Sequence, residues 1–352
     1  MRISTVGYSM KQGVKNIGRN KMFSIASIAT MAACIFLFGL FYSIVINFNY
    51  IVEKAEEVKE NVEEKAKNLG TFFLFAGPSL FFFCMAILVP LMFGIYLTFT
   101  DWNGISKEKN IIGLQNYVTA FQDGSFWQSL LLTMIFTMIS VLLVNYVAFL
   151  LARLVTSGVR FQNFYRASFF TPNLIGGVVL GYIWQFIFGR VLVAFGKSMG
   201  IGFLSKSWLS STNLAVAALI LVTIWQYSGY MMLIYIAGLM NIPKELIEAG
   251  KIDGCDDKKC RKYIVMPLMT SSFIICIFLT ITRCFMTYDL NFSLTEGNPF
   301  GSTVMASMYV YRKAFSEKNY GLGQTEAIIL FVVCAIVSML QIYVTKRKEV
   351  EA

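Results

Sequence analysis

Apolar runs of about twenty residues recur along this chain, and no other feature constrains its folding more. In a helix, about twenty residues rise 30 Å, the thickness of the hydrocarbon layer of a bilayer. The runs fall at about Phe23–Phe48, Phe72–Phe99, Phe126–Leu151, Ala167–Phe188, Leu214–Leu239, Tyr263–Met286 and Glu326–Val344. They are continuous rather than alternating with a period of two, so they fit helices and not the strands of a membrane barrel. A 352-residue chain with 57% hydrophobic and 14% charged residues cannot hide that much apolar surface in a water-soluble core. The expected fold class is all-α, a polytopic membrane protein. Pro78, Pro90 and Pro172 fall at or inside runs, where neighbouring helices can satisfy the freed carbonyls.

The formal charge of +10 is carried mainly between the runs, which suits topology and anionic headgroups rather than a nucleic-acid face. With the loop 241–262 placed inside, the inner segments of the last six runs hold Arg153, Arg160, Arg166, Lys244, Lys251, Lys258, Lys259, Arg261, Lys262, Lys346, Arg347 and Lys348, twelve in all. The outer segments hold Lys107, Lys109, Arg190, Lys197, Lys206, Arg312, Lys313 and Lys318, which is eight. The bias puts both ends of a six-span unit, and the loop, in the cytoplasm. A seventh, N-terminal span then sends Met1–Lys21, with five basic residues and no acidic one, to the outside, against the same rule. A Glu/Lys-rich stretch after the first run reads as a solvated or interfacial helix. There is no His, and the 7 Cys show no metal-ligand spacing and no disulfide framework, so they are expected to be reduced and structural. The first run lacks a cleavage signal and reads as an anchor.

The segment with most information is IPKELIEAGKIDGCDDKKCRKYIVMP, Ile242 to Pro267. Pro243 suits the first turn of a helix, with Glu245 where the helix dipole favours negative charge. Ile242, Leu246 and Ala249 follow helical spacing and predict a packed face. Gly254 can take a left-handed turn, and Asp256 or Asp257 can cap a second short helix. Such a rigid two-helix element exceeds what an ordinary connection needs and suits the transmission of force from a soluble partner. An ordinary loop between spans is the simpler reading of the same residues.

These residues resemble the EAA coupling motif of bacterial ATP-binding-cassette importer permeases, close to E-A-A-x-x-D-G-A with a later L-P. Glu248, Ala249, Asp253, Gly254 and Pro267 match at the family spacing. The rest of residues 70–349 is similar to the carbohydrate permeases of the MalF type: Phe99 to Asn103, Gly113 to Tyr117, Trp225 to Gly229, and Thr295 to Pro299. Gly250 and Cys255 replace small alanines, and Lys258 and Arg261 stand where the family often has aromatics. Less glycine than usual surrounds Glu296 and Asn298. The resemblance implies a six-helix permease core, to which the first apolar run adds one extra N-terminal transmembrane helix, with Glu245, Glu248, Ala249, Gly250, Asp253, Gly254, Asp257 and Pro267 coupling to an ATPase. It also implies a second permease, two ATPase subunits, an extracellular solute-binding protein and a sugar substrate moved by alternating access. The chain has no G-x-x-x-x-G-K-[ST] phosphate loop, so ATP is expected to be hydrolysed by a partner and this subunit is expected to be neither an enzyme nor a cofactor carrier.

Sugars are held by aromatic faces and planar polar groups, so candidates within spans are Tyr227, Tyr230, Tyr288, Asp289 and Asn291, with Asn173 and Trp225 behind them. Helix packing is the competing role for each. Arg283 and Asp289 are ionisable residues near the outer membrane face, suited to a functional site, a gate or an anchor. Residues 1–60 are similar instead to the start of the FtsX cell-division family, which predicts a fusion: a basic segment and helix over 1–50, a charged linker over 51–69, and the transporter domain from 70. An FtsX-like regulator of cell-wall hydrolases, or a nonfunctional hybrid, is the alternative function.

Overall fold

The computed structural model describes residues 76–346, and the first apolar run and the charged linker lie outside the described residues. The chain divides into two units, Met1–Thr100 and Asp101–Ala352. In the first, helix α1 spans Ala76–Leu97. Its third turn widens into a π turn at Cys84–Leu88, just before Pro90, whose missing N–H and ring disturb the regular ladder. Phe81 and Phe82 are 60% and 69% exposed, the pattern of a helix whose solvent is lipid.

The second unit is helical, with no β-strand among the described residues. Its helices are α2 (Gln115–Gln122), α3 (Gly124–Thr156), α4 (Gln162–Phe170), α5 (Gly177–Met199), α6 (Thr212–Met240) and α7 (Lys244–Ile252). Then come α8 (Lys258–Leu268), α9 (Thr270–Phe285), α10 (Asp289–Thr295), α11 (Ala306–Tyr311, continued by a π turn over Arg312–Ser316) and α12 (Tyr320–Lys346). Helices α1, α3, α5, α6 and α12 are each long and apolar enough to cross a bilayer, and α8 with α9 forms a sixth, broken span bent by 65°.

The third span departs from its expected place. The apolar run predicts Ala167–Phe188, but α4 stops at Phe170 and a 3-10 turn covers Thr171–Leu174. Pro172 cannot continue the hydrogen-bond ladder, and the chain restarts as α5 only at Gly177. Arg190 and Lys197 made the run look finished at Phe188, yet α5 continues past both to Met199, ending on Gly200 at φ +68°.

Helices α3 and α6 pack along their length and define two apolar clusters. Phe136, Leu180, Phe188, Leu219 and Leu294 centre one; Val144, Ala148, Met232, Tyr235 and Met269 centre the other. Small residues permit the close approaches that membrane helices rely on. A side chain at Gly181 would overlap Ser293 of α10, and one at Gly229 would overlap the Phe169 carbonyl of α4. At the second cluster, Asn145 of α3 accepts from the Tyr235 hydroxyl at 2.7 Å and donates to Thr280 Oγ1 of α9 at 3.3 Å. One buried amide thus ties three spans together, in a setting where an unmet polar group is costly.

Candidate functional site

The loop between α6 and α9 forms a two-helix hairpin. Helix α7 ends in a Schellman motif: Cys255 N–H donates to the Gly250 carbonyl at 2.9 Å and Gly254 N–H to that of Lys251 at 3.1 Å. Gly254 sits at φ +82°, a left-handed conformation that disfavours any side chain. Asp256 then caps the second helix, its Oδ1 accepting from Lys259 N–H at 2.7 Å. The Asp257 side chain is outside the described residues.

Close packing holds the hairpin together. A Cβ on Gly250 would meet Ile264 Cδ1 at 2.5 Å and Cys260 Sγ at 3.6 Å, so the two helices touch at a residue with no side chain. Ile242 and Ile247 fix α7 to the cluster around Tyr235 and Met269, with Val265 and Leu268 beside them. The expected packed face of Ile242, Leu246 and Ala249 therefore needs correction. Leu246 is 40% exposed and Ala249 is exposed, while Ile247 and Gly250 face inward. Leu246 and Ala249, with Glu245, Glu248, Asp253 and Ile252, which is 86% exposed, leave both acidic and apolar groups open on the hairpin.

Cys255 and Cys260 are free thiols at this hinge. The hydrogen bond with Cys260 pushes the Cys255 thiol up to about 11, with desolvation adding to it, so neither the loop's basic residues nor its helix ends make it reactive. Pro267 lies in α8, and its carbonyl accepts from Thr270 Oγ1 at 2.7 Å across the bend.

At the other end of α9, the structure brings three predicted residues around Arg283. Its Nη1 donates to Asn173 Oδ1 at 2.7 Å, and its guanidinium lies 4.7 Å from the Tyr230 ring and 5.0 Å from that of Tyr227. Among the described residues no carboxylate lies within ion-pairing distance of it, so two π faces and one amide support the cation. Asp289 is exposed and within electrostatic range of Tyr227 and Tyr288. Trp225 is turned away: it lines a mainly apolar cleft of about 320 Å³ with Val147, Phe169, Pro172 and Gly229. Asn291 is wholly buried, its amide engaged by Thr295, the Thr303 carbonyl and Met305 N–H. It holds the turn after α10 in shape and presents nothing to a ligand.

A second ionic centre was not legible in the sequence. Asp123 caps α3, accepting from Ser125 and Phe126 N–H, and also receives the Tyr309 hydroxyl at 2.8 Å. Lys313 lies 3.4 Å from Asp123 and 3.0 Å from Glu317. Burial opposes ionisation of Asp123, but the Tyr309 hydrogen bond, the Phe126 amide and Lys313 outweigh it and hold the carboxyl below its ordinary value. Only the Lys313–Glu317 spacing of four hinted at this from the sequence.

Residues 145–350 match the family described as binding-protein-dependent transport system inner membrane component, and the chain belongs to that family. It is 41% identical over 285 residues to a Thermoanaerobacterium thermosulfurigenes protein named "Probable starch degradation products transport system permease protein AmyD", covering 81% of this chain and 97% of that one. It is 32% identical over 261 residues to the multiple sugar-binding transport system permease protein MsmF of Streptococcus mutans, covering 74% and 90%. In fold it is similar to a chain of a bacterial transporter that imports the acidic polysaccharide alginate, with a TM-score of 0.69 at 18% identity over 81% of this chain and 99% of that one. The FtsX likeness of residues 1–60 finds no support in these relationships.

Proposed function

We propose that this chain is the membrane-spanning permease subunit of an ATP-driven importer for a sugar or oligosaccharide, and that loop 241–267 takes up the stroke of a separate ATPase. The observation that carries the reading is the hairpin itself: a short helix locked by Gly254, packed through Gly250, and open to a partner along Glu245, Leu246, Glu248 and Ala249. The sugar comes from the relatives, whose names refer to starch degradation products and multiple sugars. A second permease, a pair of ATPase subunits and an extracellular solute-binding protein complete the assembly. The transporter domain occupies residues 70–349, and the loop and C-terminus face the cytoplasm, where the ATPases are. ATP-driven closure of the ATPase pair swings the hairpin and alternates access to a site at Arg283, Tyr227, Tyr230 and Asn173, where rings stack on sugar faces and the guanidinium and amide bind hydroxyls.

The test is ATP hydrolysis by membranes holding this chain with its partner permease, ATPase and binding protein. Stimulation by a starch-derived oligosaccharide, abolished by Gly254→Pro, is the expected result. No stimulation by any sugar from an assembled complex would overturn the reading.

A further inference from the structure

Six aromatic rings from three separate segments stand in one unbroken series at the end of the span bundle away from the hairpin. Phe292 of α10 stacks on Tyr288 with centroids 5.7 Å apart. Tyr288 meets Tyr311 at 4.8 Å, and Tyr311 meets Phe315 at 4.7 Å. Phe315 meets Tyr320 at 5.3 Å, Tyr320 meets Trp102 at 5.4 Å, and Lys109 lies 4.8 Å from the Trp102 ring. The far end is pinned: Trp102 Nε1 donates to the Ser106 carbonyl at 3.0 Å, and a side chain on Gly104 would collide with the Tyr320 ring.

These rings are not simply core. Tyr311 is 42% exposed and Phe292 37%, and Tyr288, Phe315, Tyr320 and Trp102 are half-buried. Polar groups flank them: the exposed Asp289 carboxylate, the Tyr288 and Tyr311 hydroxyls, and Arg312, whose Nη2 donates to the Glu296 carbonyl. An interfacial belt would place its rings singly against lipid. Here they touch ring to ring, and Asp289, next to Tyr288, is within electrostatic range of Tyr227 in the Arg283 cluster.

We infer that Phe292, Tyr288, Tyr311, Phe315, Tyr320 and Trp102 form a track of stacking subsites that guides successive pyranose rings of an oligosaccharide between the outer mouth and the Arg283 site. A pyranose presents a face of C–H bonds that packs on the negative face of an aromatic ring, while its hydroxyls need polar rims such as those beside Tyr288. A series of such rings binds by face and tolerates linkage, so it favours chain length over sugar identity. The inference rests on the importer reading above and goes beyond it by naming where a longer substrate extends.

Uptake of radiolabelled maltose and maltopentaose by cells carrying the whole transporter tests it, alongside saturation-transfer NMR from the purified full-length chain to maltopentaose. Tyr311→Leu and Phe315→Leu keep apolar bulk and remove a ring face; Tyr343→Leu, at the far end of α12, is the control. Each of the first two is expected to raise the KM for maltopentaose about tenfold, with a smaller rise for maltose, and to weaken the NMR transfer. Import by the wild type with equal losses for both sugars, or no loss, overturns the track and leaves the importer reading standing. Neither uptake nor transfer in the wild type overturns both. Transfer without uptake, lost in Tyr311→Leu, supports the track while removing the importer role.

Discussion

Gly250 of α7 lies so close to Ile264 of α8 that a Cβ would meet the Ile264 methyl at 2.5 Å. That methyl is the far end of a flexible side chain, so Gly250→Ala is accommodated by a rotamer change, whereas Gly250→Phe must part the helices at a cost of about 1–3 kcal/mol. Sugar-stimulated ATP hydrolysis is expected to survive the first substitution and fall steeply with the second, while span-level thermal stability changes little in either.

Gly254→Ala removes no contact, since nothing lies within 4 Å of its absent Cβ, but forces a side chain to φ +82°. The expected cost is about 1–2 kcal/mol, localised to the hairpin. Hydrogen exchange at Gly254 and Cys255 amides should accelerate while that of α3 and α6 does not.

Removing the Tyr235 hydroxyl leaves Asn145 Oδ1 unmatched between α3, α6 and α9. Tyr235→Phe is expected to lower stability by about 1–3 kcal/mol, read as a lower Tm of the detergent-solubilised chain. A Tyr235→Phe, Asn145→Leu pair should recover part of the loss, because both polar partners are then gone.

The Asp123–Lys313 pair gives the end of the bundle away from the hairpin a pH dependence of definite sign. Asp123 is depressed when folded, so its stabilisation is present above the ordinary carboxylate value of about 4 and is lost as pH falls through the lowered one. Lys313 is shifted upward: burial opposes its charge, but Glu317 and Tyr309 prevail, so its contribution holds at neutral pH and is lost only in strong alkali. Asp123→Asn, which can still cap α3, is expected to flatten the acid limb of a Tm-against-pH curve and leave the alkaline limb in place.

Arg283→Lys keeps the charge and loses the planar group held between Tyr227 and Tyr230. Under the importer reading it raises the KM for sugar several-fold with little change in ATPase rate at saturation. A fall in basal ATPase rate instead would assign Arg283 to gating.

The sequence displayed what local chemistry determines. Apolar length marked the spans, and Pro243, Gly254 and Asp256 marked the hairpin because a helix start, a left-handed turn and a cap each demand a residue type. Long-range packing was not displayed. Asn291 looked like a sugar ligand because planar amides serve that role, yet Thr295 of its own helix and Thr303 and Met305 of the later turn enclose it. Leu246 has the spacing of a buried residue, but Ile247 won the inward position because α7 meets the bundle through Ile242. The ring series from Trp102 to Phe292 joins segments nearly two hundred residues apart, and no periodicity announces it.

The 65° bend between α8 and α9 makes this stretch a crank rather than a rod. From the bend, the 16 residues of α9 reach about 24 Å toward Arg283, against about 16 Å for α8 on the hairpin side. Arg283 stands about 21 Å beyond Met269, so a rigid turn there would magnify a 1 Å push on the hairpin to about 1.3 Å at the arginine, trading force for reach. Stiffness at the elbow, where Thr270 fastens to the Pro267 carbonyl, then sets how much of each stroke is delivered and how much is absorbed.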